Sequence, residues 1–202
     1  MTRHCVRRAA WAAMVLVSAA AWACWAAEEG DKDAAKSFTL DDQDGKQVSL
    51  SDSAGKFVVL EWINWDCPFV QRHMRAGTMK SLAEKYKDKG VVWLGINTTN
   101  YANHEANKKA REKFSLPYPV LDDHEGTVGK LYGAKATPHM FVLDKTHKIA
   151  YQGAIDDDPS GEKVKQGTAK NYVDQALTEL LEGKKVSTPK TNPYGCSVKY
   201  KG

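Results

Sequence analysis

The chain is poor in cysteine, and the spacing of the few it has is restrictive. Four occur among 202 residues, at Cys5, Cys24, Cys67 and Cys196. No two are separated by two residues, so there is no CxxC dithiol. No Cys/His cluster has zinc-ligand spacing, which argues against a structural metal site. Internal repeats and low-complexity segments are missing too, so a solenoid or a compositionally biased disordered chain drops out. So is an excess of charge: without Arg3, Arg7 and Arg8 the 29 basic residues become 26, against 25 acidic ones. A nearly neutral protein offers no electrostatic reason to bind nucleic acid or anionic lipid. What is there, 42% hydrophobic and 27% charged residues over 202 positions, is enough for one domain with a full core.

The N-terminus reads as a targeting segment. Arg3, Arg7 and Arg8 give a basic start, residues 9–23 are apolar but too short to span a bilayer, and Ala21-Trp22-Ala23 offers an A-x-A cleavage site. Residues 1–23 are therefore expected to be a signal peptide and the protein exported, to a periplasm or the extracellular space. Cys24, directly after Ala23, offers a site for lipid modification, the one route by which a membrane would enter. Export makes the cysteines matter more, since thiols in an oxidising compartment pair unless kept reduced. Cys67 and Cys196 remain. Residues 24–36 read as a flexible lead-in, residues 37–183 as the domain, and residues 184–202 as a polar tail with Pro189, Pro193 and Gly195 that carries Cys196.

The domain is organised around residues 57–70, FVVLEWINWDCPFV. Residues 57–63 are apolar apart from Glu61, as in a strand covered on both faces. Pro68 suits the first turn of a helix, where its missing N–H costs nothing. Cys67 thus stands where a buried strand hands over to a helix N-terminus, where free N–H groups and the helix dipole stabilise a thiolate. Around this junction the pattern predicts short strands at 38–40 and 47–50 about an Asp44-Gly45 turn, with further strands at 91–96, 118–121, 140–143 and 148–152. Helices are predicted from Pro68 to Gly90 with a weak point or kink at Gly77, from Ala102 to Phe114, around Val128–Tyr132, and from Tyr172 to Gly183. Strand–helix alternation followed by a hairpin and a closing helix implies an α/β fold with a mainly parallel sheet covered on both faces.

Trp-x-Cys-Pro at a helix start, followed later by Ala136-Thr137-Pro138 before a strand and hairpin, resembles the thioredoxin fold. Tyr118-Pro119-Val120-Leu121-Asp122, Leu131-Tyr132-Gly133 and Phe141-Val142-Leu143-Asp144 resemble its redoxin branch, related to AhpC/TSA. The pair formed by Cys-Pro-Phe-Val-x-x-His at Cys67–His73 and Gly-Cys-x-x-Lys-aromatic at Gly195–Tyr200 is similar to an exported peroxiredoxin-like group. The resemblance implies a central mixed sheet flanked by helices, with a redoxin-type insertion at about 98–121. It also implies that Cys67 is the nucleophile, Pro138 a cis-proline and Glu61 a buried carboxylate. Two departures stand out. Val70 occupies the place of a second CxxC cysteine, and Leu60 and Asn64 occupy the places of the proline and threonine of the peroxiredoxin signature.

The chemistry follows from these residues. Cys67 would attack a disulfide or a peroxide, Glu61 would accept a proton, and Cys196, swung in by the tail, would resolve the product. The alternative is a static Cys67–Cys196 disulfide in a non-catalytic module. Thr137 and Pro138 would present backbone to an extended substrate, with Pro68 and Trp65 beside the sulfur and Trp62 and Trp65 as its apolar wall. His139 lies near the sulfur or turns away from it. His73, about 9 Å of helix rise beyond Cys67, is expected to pack or cap. Asp156-Asp157-Asp158 before Pro159 reads as a solvated acidic turn in preference to a cation site. No cofactor or metal is expected. The expected partners are a protein or small-molecule disulfide or a peroxide, together with a thiol reductant.

Overall fold

The structure, a computed structural model, describes residues 33–202, which belong to one compact unit. The signal-peptide and Cys24 expectations fall outside the described residues. Strands β1 (Thr39–Asp42) and β2 (Gln47–Ser49) form a hairpin whose turn uses Gly45 at φ 78°, a conformation glycine adopts without a Cβ clash. Strand β3 (Phe57–Ile63) is buried at all seven positions. Helix α1 (Pro68–Arg75) starts at Pro68 as expected, but it does not merely kink at Gly77. Gly77 takes φ 69°, which no α-helix accommodates, and a separate helix α2 (Thr78–Tyr86) begins there.

The chain continues through β4 (Val91–Asn97), α3 (His104–Lys113), β5 (Val120–Asp122) and α4 (Thr127–Tyr132). It then makes a two-residue strand β6 (Ala136–Thr137), β7 (His139–Leu143) and β8 (Ile149–Gly153). Two helices, α5 (Glu162–Gln166) and α6 (Tyr172–Leu181), precede a short β9 (Cys196–Ser197) in the tail.

The sheet order is β2-β1-β5-β4-β3-β7-β8. Only β3–β4 and β4–β5 pair in parallel; the other four pairings are antiparallel. The sheet is therefore mixed, as the resemblance implies, and not mainly parallel, because the β1–β2 hairpin docks on β5 and the β7–β8 hairpin on β3. Side chains alternate across β3. Val59 and Ile63 pack with Cys67, Val70, Met79, Tyr86, Val173 and Leu177, so α1, α2 and α6 cover that face. Val58, Leu60 and Trp62 pack on the other face with Ile96, Leu121, Val128 and Phe141, under α4. Each fully buried Val, Leu, Ile or Phe contributes about 1.5–3 kcal/mol relative to exposure, so the β3 junction is anchored from both sides.

The ends of the unit are also tied down. Ala35 N–H donates to His147 O (2.9 Å) and Ile149 N–H to Asp33 O (2.8 Å). The tail lies across the carboxyl end of β3, where β9 pairs antiparallel with β6, Thr137 opposite Cys196 and Ala136 opposite Ser197.

Candidate functional site

Cys67 is the N-cap of α1, with extended backbone (φ −77°, ψ 119°) and Pro68 at the first helical position. Its N–H is bound by Asn64 O (3.1 Å), and its carbonyl accepts from Gln71 N–H (2.9 Å). The sulfur points back over the cis Thr137–Pro138 peptide, and its S–H donates to Thr137 O at 3.0 Å. Burial pushes the thiol up. That is outweighed by hydrogen bonds from the Thr137 hydroxyl, the Cys196 thiol and the N–H groups of Val70 and Cys196, and Cys67 ends below its ordinary value.

Cys196 is the second thiol at the site. Both cysteines are free, and the β6–β9 pairing sets Cys196 opposite the residue whose carbonyl receives the Cys67 thiol. Burial first, then the hydrogen bond and charge of Cys67, push Cys196 up to about 11, against the pull of Lys199. The two sulfurs in contact are thus made unequal. Cys67 is only 1% exposed, within the core cluster against which Tyr194 and Cys196 of the tail also pack. Gly195 allows this approach: at φ 136°, a Cβ there would lie 2.1 Å from Thr137 O.

Glu61 sits on the same sheet face as Cys67, fully buried, opposite Gly95 of β4 and Met140 of β7. Its Oε2 accepts from Trp93 Nε1–H (2.8 Å) and Tyr118 O–H (3.0 Å), while Oε1 has no partner. Desolvation pushes its carboxyl up to about 7, the two donors opposing.

The other expected residues divide. Pro68 is exposed and forms, with Phe69, Arg72, Pro159 and Ser160, a cleft of about 340 Å³ beside the start of α1. Trp65 flanks the site but is committed to α3: its Nε1–H donates to Asn107 Oδ1 (2.8 Å), and its ring stacks on Phe114. Trp62 is no wall of the site. It faces the opposite side of the sheet, packed on Tyr132 and Phe141, with its N–H on Thr98 Oγ1, as strand alternation requires. His139 also turns away, 4.6 Å from the Phe141 ring; burial first, then Lys135 and Lys190, bring its imidazole down to about 4.

The acidic turn is solvated only at Asp157, which is partly exposed and paired with Lys163. Asp156 and Asp158 are buried, and Asp158 accepts the N–H groups of Gly161 and Val164 and the Ser160 hydroxyl. Burial raises the Asp158 carboxyl, but those donors and Arg72 outweigh it and hold it at about 2. Among the described residues no group of three or more His, Cys, Asp or Glu side chains is placed to hold a metal. Sequence reasoning also missed the seat of the tail. His73 is buried against Tyr194, Nε2 to Oη 3.0 Å, and the Tyr200 hydroxyl donates to Ala134 O at 2.7 Å. His73 packs, as expected; in the sequence His73 and Tyr200 show only as members of the two resemblance motifs, and Tyr194 falls in neither.

A model of the AhpC/TSA family matches residues 32–152. Among curated proteins, a chloroplastic peroxiredoxin Q of Triticum aestivum is 37% identical over 122 residues, 56% of this chain and 54% of that one. A thiol-disulfide oxidoreductase ResA of Bacillus thuringiensis is 33% identical over 116 residues, 57% of this chain and 64% of that one. The chain thus spans between half and two thirds of the length of these relatives. Among solved structures, an uncharacterized conserved protein from Geobacillus kaustophilus superposes with TM-score 0.74 at 31% identity, covering 83% of this chain and 90% of that one. Further neighbours share the thioredoxin-like fold.

Proposed function

Given that the chain belongs to the AhpC/TSA family, we propose that it is an exported thiol–disulfide oxidoreductase with Cys67 as nucleophile and Cys196 as resolving thiol. The observation that carries this reading is the placing of two free thiols at one residue beside a helix start: Cys67 donates to Thr137 O, and Cys196 pairs opposite Thr137, with one thiol pulled down and the other pushed up. The Cys67 thiolate attacks a substrate disulfide, forming a mixed disulfide and expelling one substrate thiolate. The Cys196 thiolate then attacks the Cys67 sulfur, expels the second substrate thiolate and closes Cys67–Cys196. Two electrons have passed to the substrate, and an external thiol reductant returns them.

The electrostatics order these steps. While Cys67 is a thiolate, its charge and hydrogen bond keep Cys196 protonated. Once the Cys67 sulfur is in a mixed disulfide it carries no charge, that contribution disappears, and Cys196 becomes easier to ionise when it is needed. Glu61, with its unpartnered oxygen on the Cys67 face of the sheet, is the group we assign to accept the nucleophile's proton. Pro68 is exposed beside the site, whereas Thr137 and Pro138 are buried and β9 occupies the Thr137 edge, so an extended substrate pairs there only when β9 leaves. Export rests on the basic and apolar leader of residues 1–23.

Redox titration with mass mapping of the bond tests the reading. Reversible formation of Cys67–Cys196 above about −300 mV is expected; a bond below that potential is structural and overturns it. A peroxide substrate is the second reading, favoured by the match to peroxiredoxin Q. Here Cys67 would form a sulfenic acid, releasing an alcohol or water, and Cys196 would condense with it to the disulfide and water. Stopped-flow hydrogen peroxide consumption that is fast and lost in Cys67→Ser would install that reading in place of the first.

A further inference from the structure

The backbone ladder that carries Cys196 is only two residues long. So short a ladder specifies register weakly, and a slip of one residue would turn Cys196 to the other side. Something else must hold the sulfur in place. Two residues upstream, Tyr194 enters a socket on α1. Its hydroxyl donates to Asp156 Oδ1 and accepts from His73 Nε2–H at 3.0 Å. Its ring tilts against Phe69, centroids 5.9 Å apart, with the Arg72 guanidinium carbon 5.9 Å from its centroid. His73 and Asp156 are 0% and 2% exposed.

The polar atoms of the socket are satisfied in one arrangement. Burial, with Arg72 adding to it and Asp156 and Asp158 opposing, holds His73 below its ordinary value. With Tyr194 donating to Asp156, Nε2 of His73 must carry the proton. Nδ1 then faces the Thr78 hydroxyl at 3.4 Å, with Asp156 Oδ2 at 4.0 Å. The chain Thr78–His73–Tyr194–Asp156 ends on a buried carboxylate, a charge-assisted bond that is strong and directional. Two residues of extended chain reach about 7 Å, so a tyrosine seated here sets where the Cys196 sulfur falls. Phe69, Arg72 and His73 of the socket belong to the helix that Cys67 caps, and Asp156 joins it from the segment after β8, so the tail is tied directly to the element that holds Cys67.

We propose that Tyr194 is a positioning residue: its seat between His73 and Asp156 holds the tail so that Cys196 meets Cys67, and releasing it uncovers Cys67. This rests on the exchange chemistry proposed above. The test uses the full chain with Cys5 and Cys24 replaced by serine, reduced, then mixed with 5,5′-dithiobis(2-nitrobenzoate). Attack by Cys67 releases one nitrothiobenzoate and leaves the other on its sulfur; takeover by Cys196 releases the second.

In Tyr194→Phe the first release should be about tenfold faster and the second about tenfold slower, in line with a lost buried hydrogen bond to a charged group. In the chain that keeps Tyr194, His73→Gln, whose amide can still donate to the Tyr194 hydroxyl, should retain most of the second rate, and His73→Leu should not. Opposite shifts in the two phases are what a general loosening of the fold would not produce. Both phases unchanged within twofold, or both moving together with a falling Tm, would overturn the assignment. Should the parent chain show no second release at all, it is the exchange reading that fails, and the latch falls with it.

Discussion

The two thiols meet at Thr137, yet the regions that hold them have little in common. Cys67 ends a strand buried at all seven positions and caps a helix set by Pro68. Cys196 sits on a two-residue strand at the end of a polar tail, held by side chains reaching into sockets: Tyr194 on α1, and Tyr200 over Gly129, where a Cβ would approach its ring to 3.0 Å. One sulfur is held by the core and the other by contacts that can be released separately. Exchange chemistry needs that division. A thiolate must stay in its field of N–H donors, while its partner must leave to admit a substrate and return to displace it.

Removing either sulfur breaks the comparison outright and has the largest effect. Cys67→Ser should lower the rate of disulfide exchange by at least about a thousandfold, since a serine hydroxyl is not ionised at neutral pH. Cys196→Ser should instead stall the protein as a mixed disulfide on Cys67 after one substrate thiol is released, as intact-mass analysis would show.

Glu61 tests the core half alone. Its carboxyl is pushed from 4.5 in the unfolded chain to about 7 when folded, so between those pH values the folded state binds a proton that the unfolded state does not. This contribution is full below about pH 4.5 and lost as pH rises through 7, amounting to about 3 kcal/mol. Urea unfolding against pH should show that decline in the parent chain, and Glu61→Gln should flatten it.

Gly195→Val tests the tail half alone. Its φ of 136° and the 2.1 Å approach to Thr137 O would force β9 off β6. Strain of this kind costs about 1–3 kcal/mol, so closure of Cys67–Cys196 should slow about tenfold to a hundredfold. Around Gly195 the tail packs only at the edge of the core, through the partly buried Tyr194, Cys196 and Val198, so Tm should move by less than about 4 °C. The smallest effect is expected at the exposed pair of Lys201 with Glu125 (2.7 Å). Lys201→Ala should leave closure within about threefold, because solvent screens such pairs.

How much could be read beforehand follows the same divide. The β3 strand matches its expected bounds because an unbroken apolar run with one carboxylate has few other uses, and that interruption marked Glu61. The junction at Cys67 was legible from Pro68, and the cis state of Pro138 through the resemblance. The parallel count of the sheet was not legible, since hairpin docking is decided by distant partners. Asp156 and Asp158 look like a wet turn in sequence and are buried because Tyr194 and Arg72 reach them from 38 and 86 positions away. Trp62 and Trp65 look equivalent, yet strand alternation and a bond to Asn107 send them to different places.

The order of residues alone determined that a sulfur would stand at the mouth of a helix, because apolar periodicity and a proline's fixed φ act within a few residues of one another. Only the folded chain decided which group would face that sulfur. Cys196 arrives from 129 positions away, and its place depends on contacts between His73 and Tyr194, 121 positions apart. Backbone preference is short-ranged, whereas a socket of buried donors and acceptors exists only once separate segments have been packed together.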